Sequence, residues 1–238
     1  KHVLFHGQAM FAVLADTVHH ARQAALKAKI DITPSTPCLS VDAAKQQSNF
    51  VRPPHFMHQG DFDSAYKAST FTVQNHLSIG GQEHMYLEGQ VSMAISEEED
   101  RVLVYTSSQH PSEVQKLIAE VLDCKLHKVV VDMRRMGGGF GGKETQAAQW
   151  ACIAALFAKR NQCAVKLRLP RMQDMIATGK RHPFENSYKV GFDKEGLINA
   201  ADIEINGNCG HSPDLSDAIV DRAMFHCDNG YYLENVKV

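Results

Sequence analysis

The 238-residue chain carries 25 Lys plus Arg against 27 Asp plus Glu, a formal charge of −2, with 44% hydrophobic and 22% charged residues. These are values of a globular chain, which exclude collagen-like and disordered classes, and a near-neutral balance without a basic patch argues against nucleic-acid binding. The longest unbroken apolar run, Trp150 to Ala158, is far shorter than the roughly 18 residues of a membrane span.

The six cysteines form no CxxC pair, so neither a disulfide framework nor a structural zinc site is expected, and a reducing, cytoplasmic location fits best. The opening at Lys1 and the close at Val238 without a polar tail read as an excerpt from a longer chain. Gly7 to Ala15 is a short apolar run, after which Asp16 or Thr17 can cap a helix through about Lys29, followed by a strand at Ile30 to Ile32. From Thr33 to about Gln59 the prolines at 34, 37, 53 and 54 and the polar tract KQQSN suit a surface linker, which places a domain boundary there. Thr70 to Ser78, Gln90 to Ser96 and Arg101 to Thr106 read as strands, the last two joined at the acidic tip Glu97-Glu98-Glu99-Asp100.

Two strand-to-helix units follow. The strand ending at Thr106 leads through Ser107-Ser108-Gln109-His110 to Pro111, favoured at the first helical position, and then to Val114, Leu117, Ile118, Val121 and Leu122 at helical spacing. A strand from His127 to Met133 leads into Gly137-Gly138-Gly139-Phe140-Gly141-Gly142 and an Ala-rich helix from about Lys143 to Lys159. A third strand, Ala164 to Leu169, ends at Pro170; if the three strands are parallel, both mouths open on the sheet edge where open α/β sheets bind ligands. Tyr188 to Phe192 and Leu197 to Ile205 are expected as strands, and Asp214 to Phe225 as a helix. The whole is a mixed α/β, or α+β, pattern.

Glycines let a backbone approach a ligand without a Cβ clash, and a loop before a helix aims N–H groups at it. Gly137, Gly139 and Gly142 fit GxGxxG, but no acidic residue follows at the distance a dinucleotide fold needs. A phosphate loop ending at Lys143 lacks its Ser or Thr, replaced by Glu144, whose carboxylate would repel a triphosphate. A tight turn with close packing remains the plain alternative. Gln109 could bond its own backbone at a helix terminus, and Glu144 could simply complement a helix dipole. No HExxH or paired-histidine arrangement marks a metal site.

The segments Arg135-Met136-Gly137 through Lys143-Glu144, Gly80-Gly81-Gln82-Glu83-His84-Met85-Tyr86-Leu87-Glu88, Ser107-Ser108-Gln109 and Thr178 through Phe184 resemble the molybdenum-binding part of the xanthine dehydrogenase family, bacterial type. The resemblance implies an α+β fold, a hammerhead remnant followed by the first part of the molybdopterin-binding domain. It implies the C-terminal part of the hammerhead domain at 1–32, a linker at 33–58, and the N-terminal part of the molybdopterin cofactor-binding domain at 59–238. It further implies a molybdenum held by molybdopterin, with no direct protein ligand to the metal, and hydroxylation of hypoxanthine or xanthine to urate with oxygen from water. Residue by residue, Gln109 matches the glutamine near the molybdenum apex, Gly138, Gly139, Phe140 and Gly141 the segment lining the cofactor, and Glu144 the carboxylate facing the purine.

The implied partners are a [2Fe-2S] cluster and FAD on a partner subunit or another part of the protein, and NAD as final acceptor through the flavin. The implied assembly is a heteromeric dimer of protomers, with no nucleic acid and no membrane. The family's Phe-Arg-Gly motif and its glutamate base cannot be assigned in this chain, so the excerpt by itself is expected to be inactive. An aldehyde oxidase-like hydroxylase and a non-catalytic scaffold binding a partner subunit are the rivals. An acid at Glu144 leans toward a hydrogen-bonding heterocycle.

Overall fold

A computed structural model describes residues 2–238. In chain order the elements are α1 (Val18–Ala25), α2 (Val41–Gln46), β1 (His58–Gln59), α3 (Phe62–Ala68), β2 (Phe71–Ile79), β3 (Val91–Ser96), β4 (Val102–Thr106), α4 (Pro111–Val121), β5 (Val129–Asp132), α5 (Gln146–Asn161), β6 (Val165–Arg168), α6 (Arg171–Ala177), β7 (Phe184–Phe192), β8 (Ile198–Gly207), α7 (Ser216–Phe225) and β9 (Val236–Lys237). The fold is α+β, as the sequence leads one to expect. No helix among the described residues is long and apolar enough to cross a membrane.

The chain divides into two compact units. One comprises the residues up to Pro34 with Glu83–Arg181, the other Ser35–Gln82 with His182–Val238. In the first, a four-stranded sheet has the order β5-β4-β3-β6. The short acidic turn after Ser96 folds β3 back antiparallel to β4, while the α4 crossover returns the chain so that β5 runs parallel to β4. Because β6 is antiparallel to β3, the three strands at 102–106, 129–132 and 165–168 point the same way, as the assumption of parallel strands requires. They are not all neighbours, however: β3 lies between β4 and β6, and the sheet is mixed.

Val102, Val104 and Ala94 of this sheet pack against Val114 and Ile118 of α4 and against Ala151, Ala154, Ala155 and Ala158 of α5, all nearly inaccessible to solvent. A methyl-sized side chain at each contact lets α5 lie close on the sheet, so its stability comes from area buried at short range rather than from large side chains. The 126–128 stretch is a 3-10 turn rather than the start of a strand, and α5 begins at Gln146 rather than Lys143.

The amino-terminal expectation needs correction. Thr17 is the cap, its side chain accepting the N–H of His20 at 3.1 Å, but α1 ends at Ala25 and no strand forms at 30–32. Ile30 and Ile32 are 48% and 59% exposed; alternating β-branched residues become a strand only where a neighbour takes their backbone hydrogen bonds. Within 33–58 the structure holds α2, capped by Ser40 through the N–H of Ala43. The Pro-rich surroundings hide this helix, and an Ser-Val-Asp start was its only local sign.

In the second unit the sheet order is β1-β9-β8-β7-β2, with β2 paired to β7 along nine residues from Phe71 opposite Phe192 to Ile79 opposite Phe184. The expected strand at 188–192 therefore starts four residues earlier, drawn out by β2.

Candidate functional site

The site lies wholly in the first unit. Tyr105 and Asp132 are register partners near the ends of β4 and β5, so both chains leave the sheet at the same edge and the two mouths adjoin. Ser107 and Gln109 follow β4, and the loop 137–142 follows β5. The Gln109 side chain bridges them: its Oε1 accepts the N–H of Gly141 at 2.9 Å and of Lys143 at 3.2 Å, while its own N–H donates to the carbonyl of Lys143 at 2.9 Å. Gln109 thus does not bond its own helix terminus. With its carbonyl oxygen taken up by two loop N–H groups, its amide –NH2 is left as a further donor.

The glycines are required by proximity. A Cβ on Gly139, which is buried, would lie 2.7 Å from Cδ of Gln109 and closer still to Oε1; one on Gly137 would lie 2.6 Å from Cβ of Glu88; one on Gly142 would lie 2.8 Å from the His84 ring. Gly138 and Gly141 have φ of 91° and 89°, and Phe140 between them has φ 52° and is 71% exposed. A non-glycine residue held left-handed is costly, of order 1–3 kcal/mol, and persists only where the surroundings enforce it. The N–H groups of Gly138, Gly139 and Phe140 have no hydrogen-bond partner among the described residues. Consecutive N–H groups flanked by left-handed residues make a concavity for an anion or an oxygen acceptor.

Beneath the loop lies a buried polar layer. Tyr86 donates to Asp174 Oδ1 at 2.5 Å, the Gln90 N–H donates to Asp174 Oδ2 at 2.6 Å, and the Gln90 amide donates to the Tyr86 hydroxyl and to the carbonyl of Gly142, each at 3.1 Å. Burial, reinforced by Asp174, pushes the Tyr86 phenol up to about 12. Burial also lowers the His84 imidazole below its ordinary range, with Lys180 and Arg181 adding to the effect against Glu83 and Glu144. Replacing Asp174 by alanine removes the acceptor of two buried donors, each costing about 1–3 kcal/mol when orphaned. A loss of about 2–5 kcal/mol in unfolding free energy is expected, read by chemical denaturation of the complete protein; a change under 1 kcal/mol would contradict it.

All the residues singled out by sequence meet here: Gln109 clasps the loop containing Gly138, Gly139, Phe140 and Gly141. Glu144, half-buried, brings Oε1 to within 3.8 Å of where a Cβ on Gly141 would stand. What sequence reading missed is the support beneath: Glu88, Lys143, Tyr86, Gln90 and Asp174. Lys143 is fully buried, its ammonium 2.7 Å from Ser107 Oγ, 3.3 Å from Glu88 Oε2 and 4.7 Å from the centroid of the Tyr86 ring. A lysine beside a glycine run looks in sequence like a solvated or phosphate-facing residue, and only its distant partner Glu88 shows otherwise. Among the described residues no group of three or more His, Cys, Asp or Glu could hold a metal ion.

Comparison with known proteins adds to this geometry. The family described as the molybdopterin cofactor-binding domain matches residues 43–238. The chain is similar to xanthine dehydrogenase of Drosophila pseudoobscura pseudoobscura, 40% identical over 98% of this chain and 18% of the relative. It is 36% identical to aldehyde oxidase 4 of Cavia porcellus over 100% of this chain and 18% of that one. The chain thus spans less than a fifth of the length of these curated relatives. Among solved structures, aldehyde oxidoreductase from Desulfovibrio gigas shares the fold with a TM-score of 0.82 at 24% identity, covering 94% of this chain and 25% of that one.

Proposed function

We infer function from one premise: this chain belongs to the molybdopterin cofactor-binding domain family. In our reading it forms part of a molybdenum hydroxylase that oxidises hypoxanthine and xanthine to urate with water as oxygen source, a xanthine dehydrogenase in the full assembly. The observation that carries the reading is the run of N–H groups at Gly138, Gly139 and Phe140 without a partner among the described residues, in the loop that Gln109 clasps. These residues fit an oxygen-rich, anionic cofactor, because they offer several fixed donors and no charge that must be desolvated.

Gly138, Gly139, Phe140 and Gly141 would line the cofactor, and Gln109 would donate from its –NH2 to an oxygen near the metal. When bound, the molybdenum cofactor supplies the two-electron oxidation. The protein's share is orientation and electrostatics. Donors fixed before reaction stabilise developing negative charge without reorganising, and Glu144 offers a carboxylate to the N–H groups of a purine. We assign residues 1–32 to the end of a hammerhead domain, 33–58 to a linker and 59–238 to the cofactor domain. Electrons would leave to a [2Fe-2S] cluster and FAD on a partner subunit or another part of the polypeptide, and then to NAD. Glu144 favours a purine over an aldehyde, since an aldehyde has no ring N–H to meet it.

The complete protein should carry about one molybdenum per copy of this domain and form urate labelled from ¹⁸O-water. A complete protein without molybdenum, or urate lacking the label, would overturn the reading.

A further inference from the structure

Glu88 Oε2 is the meeting point of three donors: the N–H of Gly137 at 3.0 Å, the hydroxyl of Ser107 at 2.5 Å and the ammonium of Lys143 at 3.3 Å. The three come from different places. Ser107 stands two residues before Gln109 in the first mouth, Gly137 opens the glycine loop, and Lys143 closes it. Glu88 also donates its own N–H to the carbonyl of Gly137 at 3.0 Å, so the opening of the loop is held twice. A single oxygen therefore fixes both ends of the loop and its distance from the segment after β4 that carries Gln109.

The chemistry of this arrangement is unusual for mere support. A lysine is almost never fully buried unless paired, and here the fully buried Lys143 ammonium pairs with a Glu88 side chain that is 40% exposed, an arrangement in which the charge attraction itself adds little net stability. What it does supply is direction, because each of its hydrogen bonds fixes an angle that apolar packing leaves free. Partial burial pushes the Glu88 carboxyl up, yet the donors Ser107, Gly137 and Lys143 converging on Oε2 hold it below the ordinary range.

We propose that Glu88 and Lys143 are a positioning pair that sets the width of the glycine loop, and thereby the placement of Gln109's donor end and of Glu144 in the mouth. This rests on the reading of that mouth as the molybdopterin and purine site.

The test compares the complete protein as wild type, Glu88→Gln, and Glu88→Gln with Lys143→Met. The readouts are thermal midpoint, amide hydrogen exchange of residues 137–143 in cofactor-free protein, molybdenum content, and kcat and KM for xanthine. The single variant leaves a buried ammonium without its counter-charge and should lose several degrees. The double variant removes both charges at similar volume and should recover to within about 2 °C of wild type. Its loop amides should nonetheless exchange about ten-fold faster, and kcat per molybdenum should fall about ten-fold. Wild-type exchange and kcat in a double variant of recovered stability would overturn the proposal and reduce the pair to a structural ion pair. Should the double variant not recover, Ser107→Ala, which cuts one tie and leaves both charges, decides. Loop exchange and kcat per molybdenum should each change about three-fold, and no change in either overturns the proposal. A wild-type protein lacking both molybdenum and xanthine turnover overturns the reading of the mouth, and the proposal with it.

Discussion

Replacing Glu144 by alanine in the complete protein is expected to leave molybdenum content unchanged and to lower kcat/KM for xanthine by roughly ten- to 200-fold, the worth of a charged hydrogen bond of about 1.5–3 kcal/mol. The rival account, that Glu144 complements a helix dipole, predicts instead a stability loss of only about 0.3–1 kcal/mol and unaltered turnover. The geometry supports the first. Glu144 precedes Thr145, the residue before α5, and the first turn of α5 contains no acidic residue. Its carboxylate lies beside Gly141, where the loop backbone turns left-handed, so it borders the mouth. Aldehyde substrates, with no ring N–H to lose a partner, should be affected much less. Metal content, thermal midpoint and both substrates measured on one preparation separate the accounts, and unchanged xanthine kinetics would remove Glu144 from the site.

Gly139→Val is expected to cut molybdenum content at least about ten-fold, by displacing the group that clasps the loop rather than by filling an empty space. The added Cβ would fall inside the Gln109 amide, 2.7 Å from its carbon. Gln109 must then swing out and release the N–H groups of Gly141 and Lys143, which together hold the far end of the loop. Overpacking of this kind typically costs about 1–3 kcal/mol, so the protein should still fold while losing its cofactor. Gly230→Ala is the control, since a Cβ there meets nothing within 4 Å. Normal metal and activity in the valine variant would show that the loop is only a turn.

Much of this site is legible in the sequence because its parts are local. A strand, a Pro-marked helix start and five glycines before an Ala-rich segment each leave a short-range signature, and the shared edge follows once the strands run the same way. The support is not legible for the opposite reason. Tyr86 and Asp174 are separated by 88 residues and Glu88 and Lys143 by 55, so no window of sequence contains both partners. Ile30 and Ile32 show the converse failure, a local pattern of strand type with no partner to realise it. The sheet order escaped prediction similarly, because alternation alone does not say that β3 separates β4 from β6.

The 88-residue gap between Tyr86 and Asp174 also has a meaning in time. At about 5–20 residues per second, a ribosome that has made Tyr86 needs roughly 4–18 s more to make Asp174. During that interval the β3–β4 hairpin and the glycine loop can already exist, yet the carboxylate that receives the phenol and the Gln90 N–H does not. The layer beneath the mouth is therefore closed by α6, an element made after the loop it supports, and a nascent chain halted between Lys143 and Asp174 carries a complete loop on an unfinished floor.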